Sequence, residues 1–416
     1  MIRRLVPLLA LLALPGAAQG HIGLEPSALD VIHPPGAALP LDLESTFALF
    51  RSDDGERWSF TCHEALLAAP DEPSTQLPRY VRTADALVVA LRSVGLGFTA
   101  GVDVYRSTDG GCDWDPATGL DGHTIADLTV LADGVTVLAA SSSGPGGQGL
   151  YVSTDGGATF TPSDVVDDPA VFLSVAAGPG EVAWATSVAG AGPAVWRSED
   201  AGATWVSWTP DLGEDVGTLE DFTLPMAHPT NAQTAWIRAA TASFDHILRT
   251  TDAQAFTEVL RDTRTVEDGT VCGGSVVLAV EGGLPAVSDD GGASFTDADW
   301  PFAQGATCAG GELFLALSQL ETDALATVSD GAAGGVFSYG EVTSELACPA
   351  GSRHAAICSP LWPTADDVLD RFRADDDDAA DDDDTTDPPG CGCAASSGSP
   401  AAALLVLPWF VRRRRG

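Results

Sequence analysis

The side chains able to do chemistry are spread thinly along the 416 residues. There is no Gly-x-Ser-x-Gly nucleophile elbow, no His-Glu-x-x-His zinc helix and no glycine loop of the kind that cradles phosphate. Seven histidines stand singly. Of four tyrosines, Tyr105 and Tyr151 lie two residues before a recurring Ser/Asp/Gly segment, where Trp196 lies before another copy, so they read as core. Arg51, Arg106, Arg197 and Arg249 directly precede such segments and read as structural for the same reason. Tyr80 and Tyr339 remain, with Arg57, Arg79, Arg82, Arg92, Arg238, Arg261, Arg264 and Arg353, in no catalytic spacing. Cys62, Cys112, Cys272, Cys308, Cys348 and Cys358 contain no Cys-x-x-Cys pair, so cross-strand or inter-blade bracing outweighs zinc. Six cysteines allow about 15 pairings, and spacing does not choose among them. No metal and no cofactor is expected.

The informative spacing is the repeat itself. Ser107, Asp109, Gly111 and Trp114 recur as Ser153, Asp155, Gly157 and Phe160, as Ser198, Asp200, Gly202 and Trp205, and as Ser288, Asp290, Gly292 and Phe295. Weaker copies run over Ser52–Trp58, Thr250–Phe256 and Ser329–Phe337. The hydroxyl and carboxylate can bond nearby backbone amides, and glycine supplies the positive φ of a tight turn. The terminal aromatic ring is free to enter the packing between sheets. A strand signal precedes the clearest copies, at Leu150–Val152 and Val195–Arg197.

These segments resemble the Asp box, the bacterial-neuraminidase repeat found in sialidases, sortilin-type receptors, photosystem-assembly factors and some glucanases. The resemblance implies an all-β propeller of four-stranded antiparallel blades, each box turning the chain between the third and fourth strands. Seven copies imply seven blades, with six or eight as alternatives. Thr46–Phe50 and Trp58–Cys62 supply only two strands for the first blade. Leu346–Pro349 and His354–Pro360 follow the last box, so N- and C-terminal strands are expected to share the first blade and close the ring.

A ligand is then expected on the face opposite the boxes. His63–Asp85 (with Arg79 and Arg82), acidic Asp211–Asp221 and Asp297–Trp300 are the candidate loops. A sialidase needs an arginine triad, a tyrosine nucleophile assisted by glutamate, and an aspartic acid. Its Phe/Tyr-Arg-Ile-Pro motif is absent. The expected role is therefore a binding or interaction module, with a sialidase-like or other glycoside hydrolase as the alternative.

Charge and termini narrow the setting. The formal net charge is -39, with 59 acidic residues against 20 basic ones. An acidic surface repels phosphate backbones and argues against nucleic acid. Residues 1–20 read as a signal peptide: Arg3 and Arg4, an apolar Leu5–Leu14, then Ala17, Ala18 and Gly20. The propeller is placed at 21–362, an acidic disordered linker at 363–389, and a tail at 390–416. That tail joins Gly390-Cys391, an apolar Ala401–Val411 and Arg412–Arg415. It resembles the MYXO-CTERM sorting tail of myxobacterial surface proteins, which implies processing near Gly390 and Cys391 and anchoring at the cell surface or outer membrane. The expected partners are an extracellular protein or glycan, and the membrane through the tail. Replacing Arg412–Arg415 by Ser should send protein into the medium, since the basic cluster resists translocation. Cys391→Ala should leave a longer, membrane-held form. Mass spectrometry of the mature C-terminus checks both, and an intact Gly416 on surface-exposed protein would rule out the sorting tail.

Overall fold

The computed structural model describes residues 26–66, 77–92, 104–144, 148–165, 170–189, 192–212, 218–318, 321 and 323–373. The expected signal peptide, the acidic run 375–384, Gly390, Cys391 and the Arg cluster lie outside the described residues. The chain forms seven four-stranded antiparallel sheets set in a ring, a β-propeller with only one α-helix among the described residues. Blades 1 to 7 occupy residues 28–62, 77–116, 124–162, 171–208, 219–262, 266–297 and 303–337. The first strand of every blade lies against the first strands of its neighbours, forming an inner ring.

Strand composition follows position in the blade. The second strand of blade 2, Leu87–Arg92, is a near-continuous apolar run, with Leu87, Val88, Val89 and Ala90 all 0% exposed. Such a run fits a strand covered on both faces, here by the neighbouring blades. Five of the seven outermost strands have four residues or fewer, and two of these, Asp115–Pro116 and Thr161–Pro162, end in proline. Proline cannot donate to a further strand, so these edges are blunted.

Each full Ser-x-Asp-x-Gly segment turns the chain between the third and fourth strands of its blade. In blade 3 the Ser153 hydroxyl donates to Asp155 Oδ1 at 2.7 Å and accepts from Gly157 N at 2.9 Å. Asp155 Oδ1 accepts from Ala158 N and Thr159 N at 3.1 and 2.8 Å. The same serine-centred bonds recur at Ser107, Ser198 and Ser288, with Gly111, Gly202 and Gly292 donating at 2.8, 2.9 and 2.8 Å. Hydrogen bonds from Ser288 and Ser294 hold the Asp290 carboxyl well below the usual range. The rings of Trp114, Phe160 and Trp205 are buried, and both indoles donate back to their own turns, to Gly111 O and Gly202 O. Phe295 is partly buried.

In three of these four turns the last glycine is where neighbouring blades meet, while a Cβ on Gly111 would meet nothing nearer than 3.7 Å. A Cβ on Gly157 would lie 2.4 Å from Val88, on Gly202 2.6 Å from Leu138, and on Gly292 2.3 Å from Trp236. Each contact is with the second strand of the preceding blade. All three glycines also have φ between 79° and 86°, so backbone and neighbour both demand glycine. Arginines bind the same seams: Arg106 Nε donates to Gly156 O of the next blade at 2.8 Å, and Arg197 Nε to Ala232 O at 2.9 Å.

The seventh repeat is different. Ser329–Phe337 contains a two-residue hairpin turn, with Asp330 and Gly331 at φ 52° and 79°, rather than the longer turn of the other blades. Two positive φ values match the right-handed twist of a tight hairpin.

Ring closure also departs from expectation. Blade 1 is built wholly from N-terminal strands, Ala28–Ile32, Leu41–Ser45, Ala48–Ser52 and Ser59–Cys62, and shares none with the C-terminus. Its second strand escapes a sequence reading because Asp42 and Glu44 look like loop residues, yet both are buried. Asp42 is neutralised by Arg82 of blade 2, and Glu44 accepts from Tyr80 N. The expected C-terminal strand His354–Pro360 is instead part of an α-helix, Arg353–Leu369, which also carries the expected domain boundary at 362/363 in its interior. Pro360 and Pro363 suggest a break in this stretch. The helix nonetheless forms, because Ser352 caps Ala355 N and Cys358, Ala365 and Leu369 bury one face. Ordered structure continues to Arg373. The cysteines pair as Cys62–Cys358, Cys112–Cys348 and Cys272–Cys308.

Gly157→Ala should cost about 2–4 kcal/mol, combining overpacking against Val88 with a strained backbone. Trp205→Ala should cost about 3–5 kcal/mol through the cavity it leaves. Denaturant midpoints at constant slope measure both, and unchanged midpoints would show that the turns do not hold the blades together.

Candidate functional site

The concave site is the axial channel. The cavity nearest the face opposite the Ser-x-Asp turns has a volume of about 600 Å³. Its walls are the early residues of the first strands and the ends of second strands, which bring in Glu44 and Glu281. A second cavity of about 430 Å³ lies toward the other mouth, where the first strands end.

A backbone irregularity places the channel's charges. In six of the seven innermost strands the pairing slips by one residue at the same place, a β-bulge after Ala28, Ile125, Phe172, Leu219, Val266 and Ala303. A bulge re-aims the residue that follows it. Those residues are Asp30, Asp127, Ser174, Asp221, Asp268 and Gly305. Blade 2 has no bulge and contributes Arg79. Arg79 lies between its neighbours' carboxylates, 2.5 Å from Asp30 and 3.5 Å from Asp127. The aspartates also stitch adjacent blades: Asp127 accepts from Val175 N at 3.0 Å and Asp268 from Ala306 N at 3.1 Å.

Further round the ring, Arg238 is held by Asp221 at 2.9 Å and Asp245 at 2.6 Å. Seven carboxylates and two arginines line this cavity, so it is strongly negative. Burial pushes the Asp268 carboxyl up to about 7, with Asp30 adding to the rise and Arg79 opposing it. Burial also raises Glu267, against the pull of Arg238.

Of the residues singled out by sequence, Arg79, Asp221 and Arg238 come together in this cavity, and the others do not join them. The four Ser-x-Asp-x-Gly turns sit one per blade at the rim, on the face away from this cavity, each bonded within itself. Tyr80 and Tyr339 are buried, 2% and 4% exposed, and burial raises both phenols far above the usual range. Arg79 and Arg82 belong to an innermost strand, Leu77–Arg82, rather than to a loop. Most of the loop before them, residues 67–76, and residues 213–217 of the acidic loop lie outside the described residues. Trp300 donates to Gly331 O of blade 7 at 3.1 Å and is an inter-blade contact. Among the described residues no cluster of His, Cys, Asp or Glu could hold a metal ion. Of the channel aspartates only Asp221 falls in a candidate loop of the sequence reading; Asp30, Asp127 and Asp268 do not. A signal existed in Asp127-Leu-Thr129, Asp221-Phe-Thr223 and Asp268-Gly-Thr270, which repeat at blade spacing.

A carboxyl raised in the fold binds a proton that the unfolded chain has released. Its stabilising contribution is therefore complete below about pH 4 and is lost as pH rises through about 7. Asp268→Asn should shrink the loss of stability between pH 5 and pH 8 by about 2 kcal/mol. Urea unfolding at the two pH values measures this; an unchanged difference would place the titration elsewhere.

No protein family model and no curated protein sequence matches the chain. Solved structures do. A puromycin-hydrolysing peptidase of Mycobacterium tuberculosis superposes with a TM-score of 0.50 at 14% identity, over 79% of this chain and 55% of that one. A GH74 xyloglucanase of Xanthomonas campestris gives 0.46 at 15% identity, over 72% of this chain and 50% of its own. YCF48 of Cyanidioschyzon merolae gives 0.45 at 16%, over 70% and 92%. The chain spans about half the length of the xyloglucanase and of the peptidase. At such identities the likeness is one of fold, and the fold shared is the β-propeller.

Proposed function

We propose that the chain is an exported propeller of Asp-box repeats, held at the cell surface by its processed C-terminal tail, which binds an extracellular protein or glycan at the channel mouth. The observation that carries the binding role is the state of the channel's basic side chains. Arg79 and Arg238 are each held between two carboxylates, leaving neither aimed at a substrate. An excess of carboxylates around them repels anionic sugars, which disfavours a sialidase. Three disulfides favour an oxidising compartment and so support export.

A second reading, a glycoside hydrolase acting on neutral sugars, draws on Asp268. A carboxyl pushed up to about 7 beside other carboxylates is the pairing such chemistry uses for its acid.

The two readings separate cleanly. A glycan array and a panel of fluorogenic glycosides should be run with the purified chain between pH 5 and pH 8. The binding role expects capture without turnover, unchanged in kind by Asp268→Asn. Turnover abolished by that substitution would replace it with the hydrolase reading.

A further inference from the structure

Six seams of the ring are crossed by the chain itself, which runs from the last strand of one blade into the first strand of the next. The seam between blades 7 and 1 has no such crossing and exchanges no strand. The turn glycine of blade 1 makes no close approach to blade 7. A Cβ on Gly55, in the blade 1 turn, would meet only Leu39, at 3.8 Å, whereas Gly157 meets Val88 of the preceding blade at 2.4 Å. Near the outer strands Trp58 stacks on Phe337 at 4.3 Å, and further in Gly305 and Gly310 of blade 7 approach Leu29 and Ala38 of blade 1.

Residues 338–373 leave blade 7 and cross to blade 1. Ser344 O accepts from Phe60 N at 3.2 Å, and Leu346 N donates to Phe60 O at 2.8 Å, a short parallel bridge on the outer strand Ser59–Cys62. Cys348 then bonds Cys112, in the turn of blade 2. The helix Arg353–Leu369 begins there, with His354 N donating to Cys112 O at 2.9 Å and Arg353 N to Asp113 Oδ1 at 2.6 Å. It lays Trp362 against Phe60, ring centres 5.5 Å apart, and Cys358 bonds Cys62. Arg373 finally returns to the root of the segment, donating to Gly340 O at 3.0 Å.

We propose that residues 338–373 are a clasp that locks the 7–1 seam, and that its two disulfides make closure of the ring conditional on oxidation. The segment is fixed to blade 7 by the chain and to blades 1 and 2 by sulfur, so the seam cannot part while both bonds stand. Forming each bond joins two thiols, releases two protons and passes two electrons to a disulfide oxidant. Opening it takes a dithiol reductant, which leaves as its own cyclic disulfide. The bonds should yield in order. Cys348 is partly exposed, whereas Cys62 and Cys358 are 1% and 0% exposed, so Cys112–Cys348 opens first. The third disulfide, Cys272–Cys308, joins the inner strands of blades 6 and 7 across a seam the chain already crosses, and it serves as the control.

The test is hydrogen exchange on the full oxidised chain before and after dithiothreitol under native conditions, with thiol alkylation to count opened bonds. Once both clasp bonds are open, Ala28–Ile32, Ser59–Cys62 and Ala332–Phe337 should exchange about 100-fold faster, while Ala183–Ala189 of blade 4 keeps its rate. The variant Cys272→Ser with Cys308→Ser should leave the 7–1 seam strands protected. Cys62→Ser with Cys112→Ser, Cys348→Ser and Cys358→Ser should match the reduced protein; if it does not fold, reduction of the folded oxidised chain still gives the reading. Seam strands that stay protected with both bonds open, or a loss spread evenly over all blades, would overturn the clasp.

Discussion

Three of the seven seams of the ring depend on a missing side chain in their turns. Gly157, Gly202 and Gly292 sit so close to the second strand of the preceding blade that a methyl group would strike it. The serine and aspartate of each turn fix that glycine's backbone, and the positive φ lets the chain fold flat against its neighbour. The interior second strands can then be uniformly apolar, because both of their faces are covered. At blade 1, where the turn glycine makes no such contact, aromatic stacking and a covalent segment join the outer strands.

The inner ring obeys a second rule. Six bulges at one level place aspartate, serine or glycine at the channel wall, and Asp127 and Asp268 reach backbone amides of the next blade. Gly305 belongs to the same logic, since a Cβ there would lie 2.4 Å from Leu29 O across the 7–1 seam. The charge of the channel thus follows from how its walls are joined. Carboxylates that stitch blades together are also the groups that any ligand entering the channel meets, and burial, with Asp30 adding to it, raises the Asp268 carboxyl.

Local chemistry was legible in the sequence and long-range pairing was not. The Ser-x-Asp-x-Gly turns could be read because the bonds of their serine and aspartate side chains reach only neighbours a few residues along the chain. Blade number followed from counting them, even though Ser329–Phe337 proved to be an ordinary hairpin. Ring closure was misread because it rests on partners 296 and 236 residues apart, which spacing cannot pair. The helix Arg353–Leu369 was hidden by two prolines, and the second strand of blade 1 by two acids whose partners lie in blade 2. Asp30, Asp127 and Asp268 stayed unseen because their common level exists only once the bulges set the register.

The route of the chain out of the fold also governs how the molecule bears load. A pull applied beyond Arg373 does not reach blade 7 first. It strips the last turn and the end of the helix as far as Cys358, where the tension passes through sulfur into the outer strand of blade 1. From there Cys348 shares it with blade 2. Hydrogen-bonded strands of the last blade, which would unzip one bond at a time, are thereby shielded behind two covalent joints. A propeller tethered by this end would yield under tension as a shortened helix with its ring whole.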